Sequence, residues 1–393
     1  MRDGKGAGVS FTESRERQAL REAVGELARR YGHAYYTGLA RGGGHTTELW
    51  DEAGRLGYLG VAVPEEYGGG GAGIGDLAAV CEEFCAAGTP MLLIVVSPAI
   101  CATVIARFGT GEQKSAWLPR FATGAARMSF AITEPDAGSN SHRLTTTARR
   151  DGGDWILNGR KVFISGVDEA EAVLVVGRTE DAKTGKLKPA LFVVPTEAPG
   201  FEYRQIEMDL VSADKQFGLF LDDVRLPSEA LVGTEDAALA QLFAGLNPER
   251  IMAASFSVGL ARYALDKGVA YAKQRSVWGT PIGAHQGLAH PLAEVKVELE
   301  LAKLMAQKAA ALYDAGDDLG AGEAANMAKF AGAEVAIKAV DTAIQVHGGN
   351  GLASEYGLGT MLGAVRVGRI APVSREMVLN FVAQHSLGLP KSY

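Results

Sequence analysis

Residues 130–166 read FAITEPDAGSNSHRLTTTARRDGGDWILNGRKVFISG, and they mark a β segment at the centre of a chain that is otherwise helical in pattern. In the second half, Trp155, Leu157, Val162 and Ile164 alternate about Asn158-Gly159, the strongest short-range hairpin signal, so a two-strand hairpin turning at Asn158-Gly159 is expected. In the first half, Thr133, Ser139, Asn140 and Ser141 surround Gly138. Hydroxyls and free backbone N–H groups in that density suit an anionic ligand rich in hydrogen-bond acceptors.

Outward from this stretch the periodicity changes. Between Phe130 and Gly233 it stays near two, with strands expected at Trp155-Leu157, Lys161-Ser165, Ala172-Arg178, Ala190-Pro195 and Gly218-Val224. From Phe11 to Arg127, Leu20, Val24, Leu27 and Ala28 recur at helix spacing, and Gly-rich breaks at Gly42-Gly44 and Gly68-Gly75 separate helical pieces. After Ala237 the chain is Ala-rich, with helices expected over Glu249-Tyr271, Leu292-Ala315 and Ala321-Val346. Helices, then strands, then long helices is a segregated α+β arrangement. Because the blocks do not alternate as βαβ, and no GxGxxG follows a strand, a Rossmann cofactor site is not expected.

The chain has 393 residues, 47% hydrophobic, enough for two or three packed subdomains. A net charge of -7 and a pI near 5.6 leave no broad basic field and argue against nucleic acid as a partner. The start, MRDGKGAGVSF, has no apolar stretch behind its positive charges, which points to a cytoplasmic protein without a signal peptide. The longest apolar run, Met91 to Ile105, is broken by Pro98 and falls short of the roughly 20 residues that span a bilayer. It reads as a buried helix, so no membrane partner is expected. Cys81, Cys85 and Cys101 are the only cysteines; without a His or carboxylate cluster beside them they read as reduced core thiols, and no metal site is expected.

Several segments together carry a family resemblance: TEPDAGS with LNGRKVFIS, PEEYGG at Pro64-Gly69, FGTGEQKSAWLP at Phe108-Pro119, LDDVRLP at Leu221-Pro227, QRSVWGTPIGAHQ at Gln274-Gln286 and QVHGGNG at Gln345-Gly351. In their order along the chain, and across almost all of it, they resemble the acyl-CoA dehydrogenase family, flavoenzymes that introduce a double bond beside an acyl thioester. The resemblance implies an N-terminal helical domain over 1–128, a middle β-barrel-like domain over 129–235 and a C-terminal four-helix bundle over 236–393. It also implies FAD as cofactor. Family correspondence puts Phe130, Ile132 and Thr133 at the ring edge, and Phe163, where many relatives have Trp, with Ser165 on one ring face. Arg275, Trp278 and Gln286 would hold the adenosine and pyrophosphate, together with Gln345, His347, Gly348, Gly349 and Gly351 from a neighbouring subunit. His347 taken alone reads as a structural or capping histidine, so its expected role is binding only. Ser374 stands where relatives have a flavin-contacting Thr.

The α-proton of an acyl thioester is weakly acidic, so its removal needs a carboxylate whose pKa is raised in a dry pocket. Many relatives supply it from a YEGT segment near the C-terminus, a position that Pro372 occupies here, followed by Val373, Ser374, Arg375 and Glu376. The segment GLNPER, Gly245 to Arg250, resembles the helix start that carries the base in isovaleryl-CoA and long-chain acyl-CoA dehydrogenases. Glu249 is therefore the expected catalytic base. The competing reading, a first-turn carboxylate favourable to the helix dipole, loses weight because the usual base is missing. Glu376 is the rival carboxylate, with a stronger structural reading. Pro372 lacks the N–H that relatives direct at the thioester oxygen, so a neighbouring amide such as Val373 is expected to substitute. Ser139, Asn247 and Arg250 correspond to residues near the thioester and pantetheine, and the Met91-Ile105 helix with Phe243-Leu246 is expected to line the acyl pocket.

The expected activity is acyl-CoA dehydrogenation, with electrons passed to an electron-transferring flavoprotein in fatty acid or branched-chain acyl metabolism. An acyl-CoA oxidase or acyl-carrier-protein dehydrogenase of the same fold, or a non-catalytic flavin-binding relative, are the alternatives. A neighbour's Gln345-Gly351 closing the site implies a homotetramer, or else a homodimer.

Overall fold

In the computed structural model, residues 13–181, 184–234 and 238–391 are described. The N-terminal segment MRDGKGAGVSF read above and the expected boundary at 235/236 lie outside them, as does the Phe243 side chain. The chain opens with helices α1 (Arg15–Arg41), α2 (Thr47–Arg55) and α3 (Ile74–Ala86). A wide π-helical stretch over Val95–Ala102 then runs into α4 (Thr103–Phe108), followed by α5 (Gly111–Ala122). Pro98 sits inside the π stretch, which is how the helix absorbs a residue that cannot donate to the preceding turn. Ser97 to Ala102 are buried, as expected of the apolar run.

A seven-stranded mixed sheet follows: β1 (Met128–Ala131), β2 (Thr147–Asp151), β3 (Asp154–Ser165), β4 (Ala172–Glu180), β5 (Leu187–Pro195), β6 (Phe201–Ile206) and β7 (Gln216–Leu226). Its order is β1-β4-β2-β3-β7-β6, with β5 paired to β4. Trp155 of β3 meets Phe192 of β5 edge-on at 5.2 Å across a core that also holds Leu219 and Val224 of β7. The β block thus encloses its own interior.

The expected hairpin at Asn158-Gly159 is corrected by this register. Residues 154–165 are one continuous strand, and the turn lies at Gly152-Gly153, where β2 and β3 pair from Asp151 opposite Asp154. Asn158-Gly159 instead forms an irregularity in the β3–β7 ladder. The Asn158 side chain accepts from the Asp223 N–H at 2.9 Å and donates to its carboxylate at 2.8 Å. A Cβ on Gly159 would lie 2.3 Å from the Thr146 Oγ1, so glycine is required by close packing, not by a reversal of the chain. Short strands β1, β2 and β6 escaped the period-two reading because they are only four to six residues long.

Three long helices complete the chain: α6 (Ala238–Gln274), α7 (Gln286–Asp314) and α8 (Asp318–His347). Between α6 and α7 sits a small hairpin of β8 (Ser276–Val277) and β9 (Thr280–Pro281). Helices α9 (Met361–Ile370) and α10 (Arg375–Phe381) close the C-terminal block. One apolar core runs from α1 and α3 into α6, α7 and α8; a second joins α4 and α5 to β1, β4 and β5. No described helix is long and apolar enough to cross a membrane.

The expected helix start at GLNPER is also corrected. Helix α6 begins at Ala238, so Glu249 and Arg250 lie three turns inside it and the helix-dipole reading of Glu249 does not apply. Pro248 sits within the helix, and its missing N–H leaves the Ala244 carbonyl without its usual partner. The Tyr313 hydroxyl donates to that carbonyl at 3.1 Å, so α7 repairs the ladder of α6.

Candidate active site

Two elements bring the expected ring-edge residues together. β1 delivers Phe130, then Ile132 and Thr133 in the turn that follows, and β3 delivers Phe163 and Ser165. The Val162 N–H donates to the Thr133 carbonyl at 3.0 Å, and the Ser129 hydroxyl donates to the Ser165 carbonyl at 2.8 Å. Ser165 in turn donates to Gln216 at 3.1 Å. Phe163 is 56% exposed at φ +58°, a conformation that non-glycine residues adopt only where the surroundings impose it. The ring thus presents a flat apolar face at the surface.

The expected base lies on another wall. A Cβ on Gly245 would meet Val104 and Ile100 at 3.0 and 3.1 Å, so α6 approaches α4 and the π stretch closely there. Glu249 is one turn further along α6 on the same face. There its charge acts on the buried Cys101 thiol, which burial pushes well above its ordinary value. Burial pushes the Glu249 carboxyl from 4.5 up to about 7, against the pull of Arg250 and Lys329. No described residue donates a hydrogen bond to it. Arg250 is itself deeply set, its pKa lowered by burial. Its Nε is buried without a partner among the described residues, and Nη1 reaches only Asn247 at 3.4 Å and the Leu246 carbonyl at 3.5 Å.

Other expected residues are occupied within the chain. Asn247 is buried and donates to the Asp318 carbonyl at 2.9 Å, joining α6 to the start of α8. Ser374 caps α10, accepting from the Met377 N–H at 3.3 Å. Ser139 is exposed in the loop after β1. Arg275, Trp278 and Gln286 cluster about the β8–β9 hairpin, where Trp278 is 89% exposed at φ +51° and Gly279 follows at +78°. Gln345, Gly348 and Gly349 are exposed at the end of α8. His347 is buried, stacked on Tyr271 at 4.1 Å and bonded through Nδ1 to the Ala343 carbonyl at 2.7 Å, a packing role that its isolated reading allowed. Since Tyr271 also accepts the Arg275 N–H on its carbonyl at 2.9 Å, the end of α8 and the root of the hairpin adjoin. Glu376 is exposed.

Two lysines were missed. Lys329 on α8 is 1% exposed, its Nζ donates to the Val373 carbonyl, and burial with the nearby Arg250 lowers its pKa to about 8. Lys161 on β3 pairs with Glu134 at 2.9 Å, both side chains almost wholly buried. Each is a charge on an otherwise apolar face: Lys329 follows Ala325 and Ala328, and Lys161 shares the strand with Leu157 and Ile164. That break in pattern was the available signal.

Three family models match in succession: acyl-CoA dehydrogenase N-terminal domain over residues 14–125, middle domain over 129–224 and C-terminal domain over 239–387. The acyl-CoA dehydrogenase FadE12 of Mycobacterium tuberculosis is 68% identical over 385 residues, covering 98% of this chain and 99% of that protein. A structure described as the electron transferring flavoprotein of Acidaminococcus fermentans superposes with a TM-score of 0.91 at 27% identity, over 96% of this chain and 99% of that one. A glutaryl-CoA dehydrogenase from Mycobacterium smegmatis in complex with FADH2 gives 0.89 at 29% identity, over 97% and 96%.

Proposed function

Because this chain belongs to the acyl-CoA dehydrogenase family, we propose that it binds FAD and desaturates an acyl-CoA thioester between its α- and β-carbons, with Glu249 as the base. The observation that carries this reading is the Glu249 carboxyl: half-buried, without a donor among the described residues, and raised by desolvation to about 7. A base poised near the working pH combines a useful deprotonated fraction with enough basicity to take a weakly acidic proton.

The residues present suit FAD. Phe163 offers an exposed aromatic face beside Thr133, whose carbonyl is already engaged by Val162 and whose hydroxyl has no partner among the described residues. Phe130, Ile132, Thr133, Phe163 and Ser165 would hold the ring. Arg275, Trp278, Gln286, Gln345, His347, Gly348 and Gly349 would hold the remainder, Arg275 through its guanidinium fork, His347 by packing and Ser374 from its cap. When bound, FAD supplies the acceptor for the hydride that leaves the β-carbon.

The protein's own groups do the rest. Glu249 takes the α-proton, and the low-dielectric wall around Cys101 keeps its carboxylate unsolvated and basic. Arg250, Asn247 and Ser139 would lie along the thioester and pantetheine, the unpartnered Arg250 Nε being the group with most to gain. Pro372 offers no N–H to the thioester oxygen, so the Val373 amide takes that role in a segment that Lys329 anchors through the Val373 carbonyl. The apolar wall comes from the 91–105 stretch and Leu246.

An electron-transferring flavoprotein is the proposed acceptor. We assign a homotetramer, or else a homodimer, and the exposed Val297, Leu301 and Leu304, at helical spacing on α7, support self-association. The division at 128/129 and 235/236 and a cytoplasmic setting belong to the same reading; the free, buried thiols of Cys81, Cys85 and Cys101 suit a reducing compartment.

Anaerobic flavin bleaching against straight and branched acyl-CoAs, short to long, tests the proposal. Bleaching by one class, reduced about 10²–10⁴-fold in Glu249→Gln with FAD content unchanged, is the expected result. Full-rate bleaching by that variant removes Glu249 as the base, and a flavoprotein that no acyl-CoA bleaches removes the substrate class.

A further inference from the structure

We propose that the buried Lys161–Glu134 pair is a positioning device that ties the Ile132–Glu134 turn to the strand segment leading into Phe163, and so sets the shape of the ring-binding mouth. The proposal rests on the reading that Ile132, Thr133 and Phe163 hold the flavin ring.

Three consecutive residues of the turn are bonded to two consecutive residues of β3. Lys161 Nζ donates to the Ile132 carbonyl at 3.0 Å and to Glu134 at 2.9 Å, and the Val162 N–H donates to the Thr133 carbonyl at 3.0 Å. The very next residue is Phe163, at φ +58° and beside a register irregularity between Lys161 and Ile164. A left-handed phenylalanine persists only where its neighbours fix the backbone on both sides. Lys161 and Val162 fix one side. On the other, the Gly166 N–H donates to the Lys215 carbonyl at 2.9 Å, and Ser165 is bonded to both Gln216 and Ser129.

Stability alone does not explain a lysine here. Burying an ammonium group is costly, and apolar replacement of a buried ion pair is often neutral or stabilising. Glu134 does not need the lysine to be held in place. Its carboxylate already accepts from the Thr145 N–H at 2.6 Å, the Thr145 hydroxyl at 2.7 Å and the Thr146 N–H at 2.9 Å. What only Lys161 supplies is the link to Ile132. Burial lowers its pKa to about 8, with Glu134 opposing, so it still carries its charge at neutral pH. The anchored Glu134 fixes the lysine, and the lysine fixes the turn.

The test uses the protein stripped of and reconstituted with FAD, and compares Lys161→Met with the parent. In Lys161→Met, Glu134 keeps its threonine donors but loses its counter-charge, so the apo chain is expected to melt below the parent, whereas the double variant Lys161→Met/Glu134→Gln is expected to melt close to it. Loss of one charge-assisted hydrogen bond at the turn is expected to weaken FAD binding about 10- to 100-fold and to move the visible bands of the bound flavin toward those of free FAD. Unchanged FAD affinity and an unchanged spectrum would overturn the proposal. Should Lys161→Met fail to fold, the double variant Lys161→Met/Glu134→Gln leaves no unpaired charge, and the same readouts decide. Thr133→Ala and Phe163→Ala run alongside. If those two leave FAD binding intact, the ring-site reading itself falls; if they weaken it while the Lys161 variants do not, only the positioning role falls.

Discussion

Glu134 and Glu249 are both set into the protein, and they behave in opposite ways. Burial by itself would raise Glu134, yet hydrogen bonds from Thr146 and Thr145 and the charge of Lys161 hold it down at about 2. Glu249, half-buried on α6, has no such donors, and desolvation raises it to about 7. Hydrogen bonds and a counter-charge keep Glu134 an anion, whereas Glu249, without donors among the described residues, is left to its desolvation. Asp214 shows that an elevated pKa alone does not identify a base. It too rises to about 7 through burial, but it accepts from the Leu92 and Leu93 N–H groups at 3.0 and 3.3 Å, at the start of the helical run through Val95–Ala102. Its lone pairs are engaged in ordering backbone.

The largest difference between the two carboxylates is expected in their response to pH. Glu249 must lose its proton before it can accept one, so kcat/KM is expected to fall about tenfold per pH unit below pH 7, measured with saturating electron acceptor. Retention of that acidic limb in Glu249→Asp, with its pKa moved, would sharpen the assignment; an identical limb in Glu249→Gln would break it. Folding stability gives the same contrast with opposite signs. Glu249 has a folded value above its ordinary 4.5, so the folded chain holds a proton that the unfolded chain releases, and stability declines as pH rises from 4.5 to 7. Glu134 has a folded value below 4.5, so its contribution is present above pH 4.5 and lost as pH falls toward 2. Denaturant unfolding of Glu249→Gln and Glu134→Gln across pH 3 to 8, a range of about five units, should erase one slope each. A variant that keeps its slope identifies a different titrating group.

A smaller effect is expected at the approach of α6 to α4. Gly245→Ala inserts a methyl against Val104 and Ile100 and should cost about 1–3 kcal/mol, read by urea midpoint. It should also lower kcat more than FAD affinity, because it moves the Glu249 wall and leaves the Phe163 wall alone. An equal loss of both would show the two walls to be mechanically one. Smallest is Tyr313→Phe, which removes the donor to the Ala244 carbonyl beside Pro248 and should cost about 1 kcal/mol. No change would mean that water replaces the hydroxyl.

The order of helical, β and helical blocks was legible because their periods differ and glycine clusters separate them. The buried helix at Met91–Ile105 and the core thiols were legible from composition and spacing. The Asn158-Gly159 turn was misread because the same dipeptide serves a hairpin or a close contact inside a strand, and only the position of Thr146 distinguishes them. The α6 start was misread because Pro248 looks like a helix boundary until Tyr313 arrives from α7. Along the chain, Lys329 was a single charge in apolar company and Lys161 the inward member of an Arg160-Lys161 pair, and neither had a visible partner.

The order of the blocks and the family followed from the sequence alone, which also offered Glu249 as the candidate base, because these depend on residue type and order. The tertiary structure alone decided that Glu134 is saturated and Glu249 is not, that Phe163 is held strained in water, and that His347 is packed on Tyr271. Those outcomes depend on which groups from distant segments come within hydrogen-bonding or stacking distance, and a linear pattern carries no such distances.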